Sequence, residues 1–131
     1  MSRFDIVNDI SAVTSLPPAS RTANATVNGT GVDLANVNAA AIIVTTGTIT
    51  DGSHAITIED SADNSNWTAV AADERIGNLP TVVAADDNTA FKFGYKGARR
   101  YLRVSVTTSG STSGGVFGAV VVRGKPRRYP A

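Results

Sequence analysis

Residues 99–106 read RRYLRVSV. Leu102, Val104 and Val106 fall on one face of an extended chain, and Arg99, Tyr101, Arg103 and Ser105 fall on the other. A period of two marks a strand with one buried face and does not fit the longer repeat of a helix. The same alternation runs through HAITIED, residues 54–60, where Ile56 and Ile58 share one face and Ala55, Thr57 and Glu59 the other. VFGAVVV, residues 116–122, is apolar on both faces. Such a strand is either covered on both sides or meets another molecule with its outer face.

Working outward, strands are expected near 22–28, 31–35, 39–46, 54–60, 66–72, 89–95, 98–108 and 115–123. The breaks between them are Gly, Asn, Asp and Ser clusters: NGTG, GTITDGS, DSADNSN and SGSTSGG. Those residues reverse a chain through local hydrogen bonds and tolerance of positive φ. Residues 73–88, DERIGNLPTVVAADDN, form the longest expected loop. About eight short strands at this spacing predict an all-β, two-layer β-sandwich or jelly roll over residues 21–123. Residues 1–20 read as an extended N-terminal arm, because SLPPAS excludes helix and central strand. Residues 124–131, GKPRRYPA, read as an extended C-terminal tail, held out of a sheet interior by two prolines.

Composition sets the outer limits. The 131 residues make one domain, large enough to bury a real core. With no Cys, neither disulfides nor thiolate metal sites are available, which suits a reducing cytoplasm or a particle assembled in one. The start, MSRFDIVNDIS, has no apolar run and is not expected to be a signal peptide. No stretch has the length of a membrane span, so no membrane partner is expected. Thr, Val, Ala and Gly dominate, which favours pleated sheet over helix.

Charge is unevenly placed along the chain. Residues 1–87 hold all eleven acids and three cations, a net of −8, while 88–131 hold nine cations and no acid, a net of +9. Either strands of the two halves interleave and pair their charges, or the fold presents two surfaces of opposite sign suited to docking. The row Arg99, Tyr101, Arg103 is correspondingly either a solvated face that deters edge pairing or a contact row for a partner.

Catalysis finds no footing. His54 is the only histidine and lies at the inner end of a strand by parity. One His and no Cys exclude most nucleophile–base pairs and most zinc sites. Glu59, Asp60 and Asp63 are close in sequence but sit at a turn with no evident pocket. EDSADNSN lacks the alternating ligands and closing Glu of a calcium loop and reads as a structural turn. No glycine-rich loop opens a helix, so no cofactor is expected. GKPRRYP offers too few cations for a nucleic-acid surface, so no nucleic-acid partner is expected. Trp67 is expected in the core rather than on a ligand-stacking surface.

Two long segments, TGTITDGSHAITIEDSADNSNWTAVA (46–71) and FKFGYKGARRYLRVSVTTSGSTSGGVFGAVVVRGKPRRYP (91–130), resemble small virion proteins of tailed bacteriophages. The features carrying the resemblance are the Thr-Asp-Gly turn, the acidic turn before Trp67, the Gly-Tyr-x-Gly-x-x-Arg-Tyr-x-Arg strand and the Pro-Arg-x-x-Pro ending. The resemblance implies a capsid decoration or cement protein on the outer surface of the phage head. It further implies a location in the virion, assembly in the bacterial host cytoplasm, the major capsid protein as partner, and a homo-oligomer, dimer or trimer. On that reading the ends are docking segments with Phe4, Ile6, Val7, Lys125, Arg127, Arg128 and Tyr129 as anchors, joined by Arg99, Tyr101 and Arg103. Another virion position, in head completion or in the tail, fits the same motifs. DSADNSNWTAV with ARRYLRVSV is also similar to discoidin-type carbohydrate-binding sandwiches. This chain departs from that pattern in being shorter, without Cys and with a single Trp.

Overall fold

The structure, a computed structural model, describes residues 4–126. Eleven strands carry the fold: β1 (Ile10–Arg21), β2 (Thr26–Asn28), β3 (Val32–Asp33), β4 (Val37–Ile49), β5 (Ser53–Ser61), β6 (Thr68–Ala69), β7 (Arg75–Ile76), β8 (Thr81–Val82), β9 (Ala90–Tyr95), β10 (Tyr101–Ser109) and β11 (Gly115–Pro126). The only helical pieces among the described residues are 3-10 turns at Val7–Asp9, Ala72–Glu74 and Ala84–Asp86. None is long and apolar enough to cross a membrane.

The strands form two antiparallel sheets. One runs β1-β11-β4-β9-β7 and the other β2-β10-β5-β6, with β3 added to β10 and β8 to β5. The chain crosses between layers repeatedly: β4 to β5, β9 to β10, β10 to β11. This interleaving is the jelly-roll pattern, as expected from the strand spacing. Between the layers, Ile42, Val44, Phe93, Phe117 and Val121 meet Ile56, Ile58, Leu102, Val104 and Val106, all buried. The alternation in RRYLRVSV therefore identified the core face of β10 correctly.

The N-terminal expectation needs correcting. Residues 10–20 are not an arm but most of β1, paired with β11 from Ile10↔Gly124 to Arg21↔Gly115. Leu16 is fully buried in the core. Two prolines are tolerated because β1 is a marginal strand with one ladder, and the register slips between Thr14 and Leu16 and again between Leu16 and Ala19. At the slip, Ser15 ties the two layers together. Its Oγ donates to the Thr30 carbonyl at 2.8 Å and accepts from the Val104 N–H at 3.0 Å. Gly118 makes room for this detour, since a Cβ there would meet the Pro18 nitrogen at 2.7 Å.

At the other end of the chain, Gly124 to Pro126 also belong to the sheet, through Gly124↔Ala39 and Pro126↔Val37. Lys125 takes a left-handed φ of 49° within that stretch. The loop expected over 73–88 contains β7 and β8, each only two residues long.

Candidate functional site

The register gathers both termini of the described chain at one end of the sandwich. Ile10, Gly124 and Ala39 lie side by side there, next to the Ala40–Tyr95 pair. Before β1, the Asp5 carboxylate accepts from the Val7 N–H at 2.9 Å and from the Asn8 side-chain amide at 2.7 Å. These bonds, led by the Asn8 amide, hold its pKa below the usual carboxylate value. The turn so fixed projects Phe4, Ile6 and Val7 into solvent at 99%, 63% and 76% exposure. Ile76 of β7 is also exposed, at 59%. Beside it opens a groove of about 680 Å³ whose lining includes Leu34, Val37, Ile76, Tyr95, Lys96 and Arg100.

Arg99, Tyr101 and Arg103 are distributed differently from the expected contact row. Arg99 precedes β10, and its Nε lies 3.7 Å from Asp60 Oδ1. Arg103 sits directly across from Glu59 on β5, donates from Nε to its Oε1 at 2.9 Å, and lies over the Trp67 ring at 4.4 Å. Neighbouring Arg100 grips Asp33 with two bonds, at 2.9 and 2.8 Å, and covers the Tyr101 ring at 5.2 Å. The Arg100 hydrogen bonds, and after them the Ala35 N–H, bring Asp33 down to about 2, and the bond to Asp33 raises Arg100 in turn. Three cations of the basic half are thus paired with three acids of the acidic half. Of the two readings of the charge asymmetry, interleaving holds for these residues. The cause is topological: β10 runs between β5 and β3, both from the acidic half.

Beneath the groove lies a buried polar unit. Asp60 is 4% exposed and accepts from the Tyr95 hydroxyl at 2.8 Å. The same hydroxyl oxygen accepts from the Arg99 N–H at 3.2 Å. Burial, then the bond to Asp60, pushes Tyr95 up to about 12. Tyr95 belongs to one sheet and Asp60 to the other, so the contact joins the layers at this end.

The remaining polar signals are structural. His54 is fully buried between strands. Its Nε2–H donates to the Asp51 carbonyl at 3.1 Å, and its Nδ1 lies within hydrogen-bond distance of the Thr108 hydroxyl at 2.9 Å. Asp63 organises the expected turn by accepting from the Ser65 and Asn66 N–H groups at 3.0 and 2.9 Å. Those backbone donors, Asn66 first, hold its pKa far below the usual range. Among the described residues, no group of three or more His, Asp or Glu side chains could hold a metal ion.

Trp67 corrects another expectation. It is half-buried on the outer side of the β5–β10 layer rather than in the core. Lys125 is exposed near the end of β11, while Arg127, Arg128 and Tyr129 lie outside the described residues. The groove residues Leu34, Val37, Ile76 and Lys96 escaped sequence reading because they come from three separate stretches of the chain, at strand ends and in connections. A possible signal was the pairing of isolated apolar residues with turn residues in LANVN and RIGN.

No protein-family model and no curated protein matches the chain. Among solved structures it is similar to the PBSX exported protein XepA, at 18% identity and a TM-score of 0.58, over 94% of this chain and 39% of that one. It is also similar to the SPBc2 prophage-derived protein YomS, at 14% identity and a TM-score of 0.53, over 87% of this chain and 93% of that one. The chain therefore spans about two-fifths of XepA and nearly all of YomS. At these identities the likeness is one of fold.

Proposed function

We propose that this chain is a non-enzymatic structural protein of a tailed-phage virion that binds the outer surface of the head and stabilises the capsid. The observation that carries the reading is the solvent-facing apolar cluster of Phe4, Ile6 and Val7 at the end of a chemically quiet jelly roll, with the Ile76 groove at the same end. Clustered exposed apolar side chains mark contact surfaces more often than they decorate a free monomer. The motifs over 46–71 and 91–130 support a phage origin, and the shared fold with a prophage-derived protein is consistent with it. The major capsid protein is the partner of this reading, and the head surface of the virion is the place. Weak contacts repeated around a closed shell add as avidity, so each copy needs only a small anchor.

The alternative of another virion position rests on the same motifs and differs in copy number. A glycan-binding role has less support, because the Trp67 ring carries Arg103 on one face and Gly31 against its benzene edge. The decisive experiment adds purified protein to heads stripped of it. Saturable binding of hundreds of copies with raised heat resistance is expected. A Phe4→Ser, Ile6→Ser, Val7→Ser variant should bind weakly while melting like the parent. Heads that take up no saturable amount of the parent protein would remove the reading.

A further inference from the structure

β1 is the terminal strand of its sheet, so one of its sides has no strand to pair with among the described residues. Which of its backbone groups face that side follows from two bonds farther across the sheet. The Lys96 N–H donates to the Glu74 carbonyl at 2.8 Å, and the Thr46 N–H donates to the Thr89 carbonyl at 2.9 Å. In an antiparallel ladder successive residues send their N–H and C=O groups to opposite neighbours. Carried through the registers, Ala40 and Ile42 bond toward β9, Ala39 and Ala41 toward β11, and Val121 and Arg123 toward β1. Ser11 and Val13 therefore complete the ladder with β11, while Ile10, Ala12 and Thr14 point their N–H and C=O groups away from the sheet.

A long open edge invites a further strand, and proteins blunt such edges with brevity, Pro, bulges or charge. The other outer strands are short: β6 and β7 have two residues each and β2 has three. β1 has twelve. Its second half carries Pro17, Pro18 and both register slips. Its first half, ISAVT over residues 10–14, has no proline, no charge and an unbroken register. Ala12 and Thr14 are exposed there. This undefended half follows directly on the turn that carries Phe4, Ile6 and Val7.

We propose that an extended segment of the larger partner adds to this edge as a further strand, along residues 10–14. The inference rests on the docking reading above and names how the contact is made. Regularly spaced backbone N–H and C=O groups select an extended polypeptide as the occupant, because main-chain bonds hold such a chain whatever its side chains. Five residues at about 3.4 Å each offer about 17 Å of edge. The segment is free of proline and uncharged over that length, since ISAVT supplies no charge to pair with one. Continuity singles out the partner that receives Phe4, Ile6 and Val7, because a strand laid on residues 10–14 runs onto that cluster. A second copy fits less well. Two β1 edges paired antiparallel about Ala12 would set Pro17 and Pro18 of each against Val7 and Ile6 of the other.

Heads stripped of the protein supply the test. Parent protein bound to them is expected to show amide hydrogen exchange slowed about tenfold or more over residues 10–14, with Thr26–Asn28 of β2 unchanged. Ala12→Pro removes one N–H on the open side and leaves the β11 ladder intact. It should melt like the parent and bind heads about tenfold more weakly, the loss expected for one or two main-chain bonds. p-Benzoylphenylalanine in place of Thr14 should cross-link, on irradiation, to one contiguous segment of a head protein. Heads that take up no parent protein overturn the docking reading and this edge with it. Saturable uptake with unchanged exchange over residues 10–14, or with Ala12→Pro folded and bound like the parent, overturns the edge alone. So do cross-links formed only between copies of the chain, which would assign the edge to self-association. Should Ala12→Pro not fold, the exchange of the parent protein decides.

Discussion

Tyr95→Phe isolates the bond that joins the two layers at the end of the sandwich where β1 begins and β11 ends. The substitution keeps the ring, which is buried among the core residues, and deletes only the hydroxyl. Asp60 then loses its 2.8 Å donor while remaining almost fully buried, and the Arg99 N–H loses its acceptor. A hydrogen bond to a charged acceptor contributes about 1.5–3 kcal/mol net, and an orphaned buried acceptor keeps its desolvation cost. Arg99 stays 3.7 Å from the other carboxylate oxygen and recovers part of the loss. A destabilisation of about 1.5–2.5 kcal/mol is therefore expected at pH 7. For a domain of this size that lowers Tm by roughly 5–10 °C.

Urea unfolding at a series of pH values is the assay, because the same residue makes a second, signed prediction. Burial and the bond to Asp60 push its pKa up to about 12, above the ordinary tyrosine value of 10.0, so the protonated phenol is favoured in the folded state. That contribution is complete below pH 10 and is lost as pH climbs through 12. The parent should lose stability across that window more steeply than Tyr95→Phe, and the gap between them should narrow. A difference below about 0.5 kcal/mol at pH 7, the level of an ordinary surface substitution, would refute the reasoning.

Further outcomes follow from particular contacts. Leu16→Ala should cost about 2.7–5 kcal/mol in urea unfolding, as a fully buried leucine does, whereas an arm residue would cost almost nothing. Gly118→Val should fail to fold or melt far lower by calorimetry, because the Pro18 nitrogen and the Leu16 carbonyl oxygen lie 2.7 and 2.8 Å from its Cβ position and both are backbone. Asp33, held near 2 by Arg100 and below 3.8, stabilises the fold above about pH 4 and loses that contribution as pH falls through 2. Arg100→Ala should remove this acid-side slope, and the exposed pair should be worth under about 1 kcal/mol.

How much of this was legible depends on what each element needs from its surroundings. β5, β10 and β11 could be read because a half-buried strand writes its burial into a period of two, and the Gly-rich turns between them are local chemistry. β1 was hidden by Pro17 and Pro18. Prolines argue against a strand only if its N–H groups are required, and a slipped marginal strand does not require them there. β7 and β8 are two residues each, too short to show a period, and exist because β9 and β5 offer them edges. The face of Arg103 was evident but its partner was not. Glu59 lies opposite only because β5 and β10 pair in the register Arg103↔Glu59, a long-range fact that no local pattern encodes. The same pairing draws Trp67 out of the core and onto the arginine.

The pairing of charges bears on how the protein can hold a partner. Arg99, Arg100 and Arg103 are committed to Asp60, Asp33 and Glu59, so the strand that looked like a cationic ridge has little field to offer a neighbour. The surface that stands out instead is apolar: Phe4, Ile6 and Val7 at one end. Binding through apolar area is strengthened rather than screened by salt, whereas binding through exposed cations weakens once the Debye length falls to about 3 Å near 1 M. Attachment to stripped heads should therefore survive molar salt and fail on substitution of Phe4, Ile6 and Val7. The competing anchor set, Lys125, Arg127, Arg128 and Tyr129, makes the reverse prediction. Protein released from heads by salt alone, with the Phe4, Ile6, Val7 variant still attached at low salt, would transfer the anchoring role to the basic C-terminal segment and leave the apolar cluster without one.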